Sequence, residues 1–520
     1  MSGTFSIIYT DEASPYNSPS VLEERCGYST MDYEVNIGLE VHAQLLTNSK
    51  MFCSCSGSYQ EAPPNTFVCP VCMGMPGVLP VINKKAVEFV IRTGLALDCT
   101  IARSTKFDRK NYPYPDLMKG YQISQFDLPI AEKGNLTIES DGQEKSIRVT
   151  RVHLEEDVAK LLHRSEQNGE GYSLLDINRA GVPLMEVVSE PDMQSPEEAR
   201  SYLTRLHSIL QYIGVTTANM EEGSFRCDAN ISIRPRGASE LGSKVEIKNM
   251  NSFRAVYRAL QYEEKRQTRA VAEGERIVQE TRGWIDDQGI TYSQRSKEYA
   301  SDYRYFPEPD LPPLLISPEW VKEIKESLPE LPMARKARLI EQYGLSDYDA
   351  DLLTSTKATA DYFESVVNAK PLEGEAHRQL AKSVSNWILG ELSRLLNLTD
   401  ADIGDVRIQP QQFIEILELI NSGTLSINMA KSVFEEMFNT GRPPKQIAEE
   451  TGMSQISDAD SIGLAVEEAI SGNPQPVEDF LNGKETAMRF LVGQVMKITR
   501  GKANPKLVTD VLKEKLESLR

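Results

Sequence analysis

Apolar and polar residues alternate along several short stretches of this chain. In Glu34–Gln44, Val35, Ile37, Leu39 and Val41 alternate with Asn36, Glu40, His42 and Gln44. Arg226–Arg234 sets Cys227, Ala229, Ile231 and Ile233 against Arg226, Asp228, Asn230 and Arg234. Lys244–Lys248 sets Val245 and Ile247 against Lys244, Glu246 and Lys248. A period of two predicts half-buried strands, one face sealing a core and the other displaying carboxylates, a histidine and cations. Taken singly, each is an ordinary solvated sheet face; together they predict a site. A fourth alternating stretch, Val149, Arg151, His153 and Glu155, leads into Glu155-Glu156-Asp157, and Glu186 interrupts the apolar run Val182–Val188.

The period then changes. Pro196–Gly214 predicts a helix with Ser195 as N-cap, Glu198 at the capping-box position and an apolar stripe of Leu203, Leu206, Ile209, Leu210 and Ile213. Ala255–Glu273 predicts a second, charged helix. Phe306–Pro313 carries four prolines and marks a boundary. Beyond it helical spacing runs through Pro329–Tyr343, Ala350–Asn368, Glu375–Leu396, Pro410–Asn421, Lys484–Lys497 and Lys506–Leu519, with Arg500–Pro505 as a loop between the last two. The expected class is α+β: an antiparallel-sheet-rich cradle-like domain over 31–312, a helical domain over 313–410 and a helical tail over 411–520. Residues 1–30 lack periodicity and are expected to be a disordered extension, or an artefact of start-site choice.

At 520 residues the chain is too long for one core. No apolar run reaches 18 residues, which argues against a membrane span, and no secretory signal is seen. The net charge of −19 argues against nonspecific nucleic-acid binding by the chain as a whole. Residues 482–520 nevertheless carry nine Lys/Arg against four acids. This basic tail is either a solvated helix face or, through Lys497, Arg500, Lys502 and Lys506, a contact for a polyanion. Cysteine usage points to a reducing, cytoplasmic setting. Cys53 and Cys55, followed by Cys69 and Cys72, have the spacing of a structural zinc knuckle with a closed four-thiolate shell; a redox pair at Cys69/Cys72 would want a βαβ context that is missing. Cys26, Cys99 and Cys227 read as isolated thiols.

Glu40 and His42 point the same way from one strand. A carboxylate such as Glu186 inside an apolar run must be paired, protonated or metal-bound, because desolvating a free carboxylate costs several kcal/mol. Its partner is either a nearby arginine or, jointly with Glu40, His42 and Glu155, a magnesium ion; His42 is then a ligand or orients a carboxylate from outside the shell. Phe107–Gln122 interleaves cations and aromatics, with Lys110, Tyr112 and Lys119 able to grip phosphate or stack a base. Asp302–Phe306, with Arg304, repeats the mixture, and Arg226 and Lys248 add cations on the strand faces. There is no phosphate loop of the G-x-x-x-x-G-K-[ST] type, no G-x-G-x-x-G after a strand and no G-x-S-x-G elbow, so ATP would need a different site.

These segments together resemble one family, the B subunit of the aspartyl/glutamyl-tRNA amidotransferase. The resemblance rests on Ile37–His42, the four cysteines, Met75–Pro80, Phe107–Gln125, Leu174–Arg179, Val187–Asp192, Glu221–Asn230, Asp302–Pro313 and Phe490–Lys497. It spans residues 32–520 and departs at Pro113, where Phe is usual, and Met118, where Pro is usual; neither is a candidate ligand. The resemblance implies that ATP phosphorylates the side-chain carboxylate of Glu or Asp misacylated on tRNA and that ammonia then displaces phosphate. It implies Glu40, His42, Glu155 and Glu186 as metal site with Asp228 and Glu246 close by, an amidase A subunit that supplies the ammonia, and a small C subunit. A tRNA-binding scaffold without catalysis would not need the carboxylate-lined strands, and a ligase for free amino acid would not need a basic helical tail.

Overall fold

The computed structural model describes residues 33–520 except 166–170, 297–302, 453–458, 483, 485, 500–502, 504 and 519–520. The expectations for residues 1–30, Cys26, Arg500 and Lys502 lie outside the described residues.

A nine-stranded sheet organises the first part of the chain. Its strands lie in the order Ile290–Ser296, Glu280–Ile285, Val245–Met250, Phe225–Pro235, Tyr33–Gln44, Pro183–Ser189, Gln143–Glu156, Ala131–Ser140 and Thr100–Ile101. Every pairing is antiparallel except that of Val245–Met250 with Glu280–Ile285. Tyr33–Gln44 sits near the middle, which explains its unbroken apolar face: Val35, Ile37, Leu39, Val41 and Ala43 are all buried. Helices Lys84–Ala96, Pro196–Tyr212 and Phe253–Ala272 pack on that face. Asn83, Ser195 and Ser252 cap them by accepting from backbone N–H groups of the first turn, as the capping signal at Ser195 predicts.

One strand departs from the sequence reading. In Gln143–Glu156 the buried apolar residues are Ile147 and Val149, then Val152 and Leu154. The register against Pro183–Ser189 shifts at the same place, between the pairs Val188–Arg151 and Ser189–Val149. The extra residue of this bulge reverses the phase. Val149 therefore lies on the core face, while Arg151, His153 and Glu155 share the opposite one.

The cores divide the molecule further. One runs from Val35 to Ile324, a second from Leu339 to Ala448 and a third from Ile462 to Leu516. Helices Pro410–Asn421, Ile427–Thr440 and Pro444–Glu450 bury Phe413, Phe434, Met437 and Ile447 in the second core. A division by cores thus falls between Ala448 and Ile462, not at residue 410. The expected helix over 350–368 is two, Asp347–Leu353 and Lys357–Asn368, because Thr356 caps the second by accepting from Thr359 N. The expected helix over 375–396 continues to Thr399 but widens into a π turn over Ile388–Leu392.

Candidate active site and thiolate cluster

Sheet register assembles the site from strands remote in sequence. His42 lies opposite Arg226 on one side and Glu186 on the other, and Glu186 lies opposite His153. These four form one row across the face turned away from the helices. Glu155, two residues beyond His153, reaches the same cluster. His42 Nε2 lies 3.5 Å from Glu186 Oε2 and 3.7 Å from Glu155 Oε1, and His153 Nε2 lies 3.2 Å from Glu186 Oε2 and 3.9 Å from Glu155 Oε2. Ser124 Oγ donates to Glu155 Oε2 at 3.1 Å.

Burial disfavours charge on all four groups, and mutual attraction reverses it. Burial pushes the His153 imidazole down, but Glu186 and Glu155 bring it up to about 9. His42 is raised in the same way by Glu186 and Glu155. Burial pushes both carboxylates up; His153 with Lys110 and His42 holds Glu155 below its ordinary range, and the two histidines hold Glu186 well below it. The partners of Glu186 are therefore two imidazoles, not an arginine. His42, Glu155 and Glu186 can each bring one ligand atom within 4.8 Å of the others. Two buried carboxylate oxygens with an imidazole suit a divalent cation.

The neighbouring row holds the remaining candidates. Glu40 is not part of the tight cluster: it lies opposite Asp228 and accepts from Asn230 Nδ2 at 2.8 Å. Lys248 Nζ donates to Asp228 at 2.6 Å and lies 3.2 Å from Glu246, which accepts from Thr281 Oγ1 at 2.8 Å. Arg226 Nη2 donates to Asp157 Oδ1 at 3.1 Å. Asp157, a buried carboxylate that also accepts from Gln44 Nε2 at 2.7 Å, orients the arginine next to His42.

The Pro/Tyr-rich segment contributes a small separate sheet, Asp108–Asn111 between Tyr121–Ser124 and Phe306–Pro307. Lys110 Nζ stands 5.1 Å from the ring centroid of Tyr303 and 5.9 Å from that of Tyr112. Lys119 instead pairs with Glu156 beside the cysteines, in a cavity of about 230 Å³. Arg304 is exposed at a positive φ of 43°, and its carbonyl accepts from Asn111 Nδ2. In the tail, Lys497 and Lys506 are exposed.

Cys53, Cys55, Cys69 and Cys72 converge with their sulfurs within 4.8 Å of one another. Cys69 and Cys72 sulfurs are 3.8 Å apart, the edge of a tetrahedron with bonds of about 2.3 Å. A hydrogen bond from Cys53 lowers Cys72 to about 5, and burial raises Cys55 to about 11. Gly74 closes the knuckle turn at φ +68°, where a side chain would meet Lys119. The four residues fit a tetrahedral soft ion.

His153 and Asp157 are the important site residues absent from the sequence-derived set. His153 stands two before Glu155 on one strand, and that spacing alone puts them on one face. Asp157 follows the strand end, and only the tertiary approach of Arg226 and Gln44 gives it meaning.

Fold and site define a sheet-based catalytic subunit of one particular type: residues 35–322 match the family model described as the GatB/GatE catalytic domain, and residues 361–516 match the GatB domain. Proteins named as the B subunit of aspartyl/glutamyl-tRNA(Asn/Gln) amidotransferase are similar throughout. The one from Dehalococcoides mccartyi (strain ATCC BAA-2266 / KCTC 15142 / 195) is 55% identical over 487 residues, 93% of this chain and 99% of its own. Those from Thermoanaerobacter pseudethanolicus and Carboxydothermus hydrogenoformans are 55% and 54% identical, each over 94% of this chain and 100% of their own. The chain belongs to this family, the B subunits of aspartyl/glutamyl-tRNA(Asn/Gln) amidotransferase.

Proposed function

We propose that this chain is the activating subunit of a tRNA-dependent amidotransferase, a carbon–nitrogen ligase. It uses ATP to phosphorylate the side-chain carboxylate of Glu-tRNA(Gln) or Asp-tRNA(Asn) and forms the amide with ammonia. The observation that carries this reading is the buried His42–Glu155–Glu186 cluster with His153, ringed by the cations Lys110, Arg226 and Lys248 on a chain 55% identical to such subunits.

A carboxylate becomes an acyl donor only when one of its oxygens is made a leaving group. The substrate carboxylate oxygen attacks the γ-phosphorus, and the bond to the bridging oxygen breaks as ADP leaves with the electron pair. Ammonia then attacks the acyl carbon, phosphate departs and the nitrogen loses a proton. Glu155 and Glu186, with His42, would hold Mg²⁺, which when bound offsets the charge of two anions brought together. Arg226, oriented by Asp157, faces the substrate carboxylate. Glu40, Asp228, Glu246 and Lys248 form the adjoining wall, and Tyr112 and Arg304 border the nucleotide side. The four cysteines would hold a structural Zn²⁺.

Ammonia would come from an amidase A subunit acting on glutamine, with a small C subunit completing the assembly in a reducing, cytoplasmic setting. The described residues include no helix long and apolar enough to cross a membrane. Segment 451–520, with Lys497, Arg500, Lys502 and Lys506, would hold tRNA phosphates. Glu155→Gln and Glu186→Gln should abolish ATP-dependent amidation while the partner amidase still hydrolyses glutamine; wild-type amidation by both variants would overturn the reading.

A further inference from the structure

Lys110 is set up differently from Arg226, Lys248, Lys119 and Arg109. Arg226 is tied to Asp157, Lys248 to Asp228 and Glu246, Lys119 to Glu156, and Arg109 forks onto Glu308 at 2.6 and 2.7 Å. Each of those charges is largely cancelled where it stands. Among the described residues, Lys110 Nζ has no carboxylate oxygen within 4.0 Å.

Alternation explains the placement. On the strand Asp108–Asn111, Arg109 turns to Glu308 and the ring of Tyr121, so Lys110 projects from the other face. There the rings of Tyr303 and Tyr112 hold its ammonium, and Tyr305 packs edge-on against Tyr303 with centroids 6.1 Å apart. Tyr305 stacks in turn on Phe126, with centroids 4.1 Å apart and planes 9° apart, which fixes that wall of the box. Burial works against the charge on Lys110, and Glu155, Tyr305 and Glu186 more than restore it. The attraction of Glu155 and Glu186 therefore reaches Lys110 across a gap and not through a contact.

An aromatic box differs from a carboxylate partner in one respect that matters here. Ring quadrupoles orient an ammonium and offset part of its desolvation without cancelling its net charge. The full charge remains available to an anion that enters the gap. We propose that Lys110 is a catalytic residue of the activation step: its ammonium donates to a non-bridging oxygen of the phosphoryl group in transfer, from the side opposite the Glu155–Glu186 cluster. Lys110 stays protonated throughout, so its part is to stabilise the charge that spreads over the equatorial oxygens as the bond to ADP breaks and the bond to the substrate carboxylate forms. The inference rests on the activation chemistry proposed above and assigns a residue to it.

The test uses the assembled enzyme with its partner subunits, misacylated tRNA and ATP. Ammonium chloride supplies nitrogen for amidation. In separate reactions hydroxylamine replaces it and traps the acyl phosphate as a hydroxamate. Lys110→Met should lower the rate of hydroxamate formation by about 10²–10³-fold, the usual loss for one such donor, with the KM for ATP and for tRNA within about threefold of wild type. Lys110→Arg should recover at least tenfold of that loss. Tyr303→Leu, which removes one wall and keeps the charge, should slow the same step by roughly 3–10-fold, in line with a cation–π contact. A readout independent of turnover is Mn²⁺ affinity without nucleotide. Removing a cation that faces Glu155 and Glu186 should tighten it severalfold in Lys110→Met, and this also reports that the variant is folded.

Hydroxamate formation within threefold of wild type in Lys110→Met would overturn the proposal. So would a raised KM for ATP at unchanged kcat, which would make Lys110 a ground-state nucleotide contact. If wild-type enzyme itself yields no hydroxamate, the activation reading fails before the role of Lys110 is reached.

Discussion

Asp157→Asn is the substitution whose cost follows most directly from the geometry. The Asp157 carboxylate is buried and serves Arg226, Gln44 Nε2 and the N–H of Val158 at 3.1, 2.7 and 2.9 Å, with Arg179 Nε at 3.7 Å. An asparagine keeps the shape but removes the charge and turns an NH₂ toward donors. Two guanidinium groups are left without their counter-ion. Breaking a buried pair from one side costs roughly 3–5 kcal/mol; because Arg226 is about a third exposed and partly rehydrates, the lower end applies, about 3 kcal/mol. With a urea slope of about 3 kcal/mol/M, the midpoint should fall by about 1 M. The sheet domain can be followed by tryptophan fluorescence in a Trp387→Phe background, since Trp284 and Trp320 belong to the first core and Trp387 to the second. The pH dependence supplies an internal check. Burial pushes Asp157 up, but Arg226 and Arg179 outweigh it and hold its carboxyl below the ordinary range. The stability it contributes is therefore fully present above the unfolded value near 3.9 and is lost as pH falls through the folded value. The gap between variant and wild type should stay constant from pH 6 to 8 and narrow only in acid. Equal midpoints at pH 7, or a gap that widens in acid, would refute the argument.

Two further outcomes are expected. Protein purified without chelators should carry one zinc per chain, and Cys72→Ser should lose it and lower thermal stability while the amidation rate of the surviving folded fraction is unchanged; wild-type protein without zinc would remove the basis for a closed thiolate site. Truncation after Glu450 should leave the first two cores folded, raise the KM for tRNA far more than that for ATP and flatten the salt dependence of tRNA binding, whereas truncation after Pro410 should aggregate, because Phe413, Phe434 and Met437 complete the second core; equal solubility of the two would contradict the core assignment.

Much of the sheet is legible in period-two alternation, because strands such as Tyr33–Gln44 and Phe225–Pro235 have one face against helices. The same alternation placed Glu40, His42, Asp228 and Glu246 on one surface. What it could not give was register: whether Glu40 or His42 meets Glu186 depends on pairing between strands about 140 residues apart. Grouping Val149 with Arg151, His153 and Glu155 puts it on the wrong face, because the apolar phase reverses between Val149 and Val152, where the bulge lies. His153 stands two residues from Glu155, but a lone histidine on a strand carries no signal until its neighbours are known. The helical half was legible as helices and not as cores, since the stripe on Pro410–Asn421 says that it packs without saying against which partner.

The position of Tyr33–Gln44 between Pro183–Ser189 and Phe225–Pro235 sets an order of events during synthesis. A central strand that emerges early cannot acquire its second neighbour until about 190 further residues have left the ribosome, roughly 10–40 s at ordinary elongation rates. Until Pro183–Ser189 has emerged, neither edge of the strand has its partner. The row of His42, Glu186 and His153 does not exist in any fragment that ends before Pro183–Ser189, because that strand lies between the other two and carries Glu186. A ribosome stalled before residue 183 therefore presents this strand without either of its neighbours, an unpaired edge of the kind that pairs with other chains.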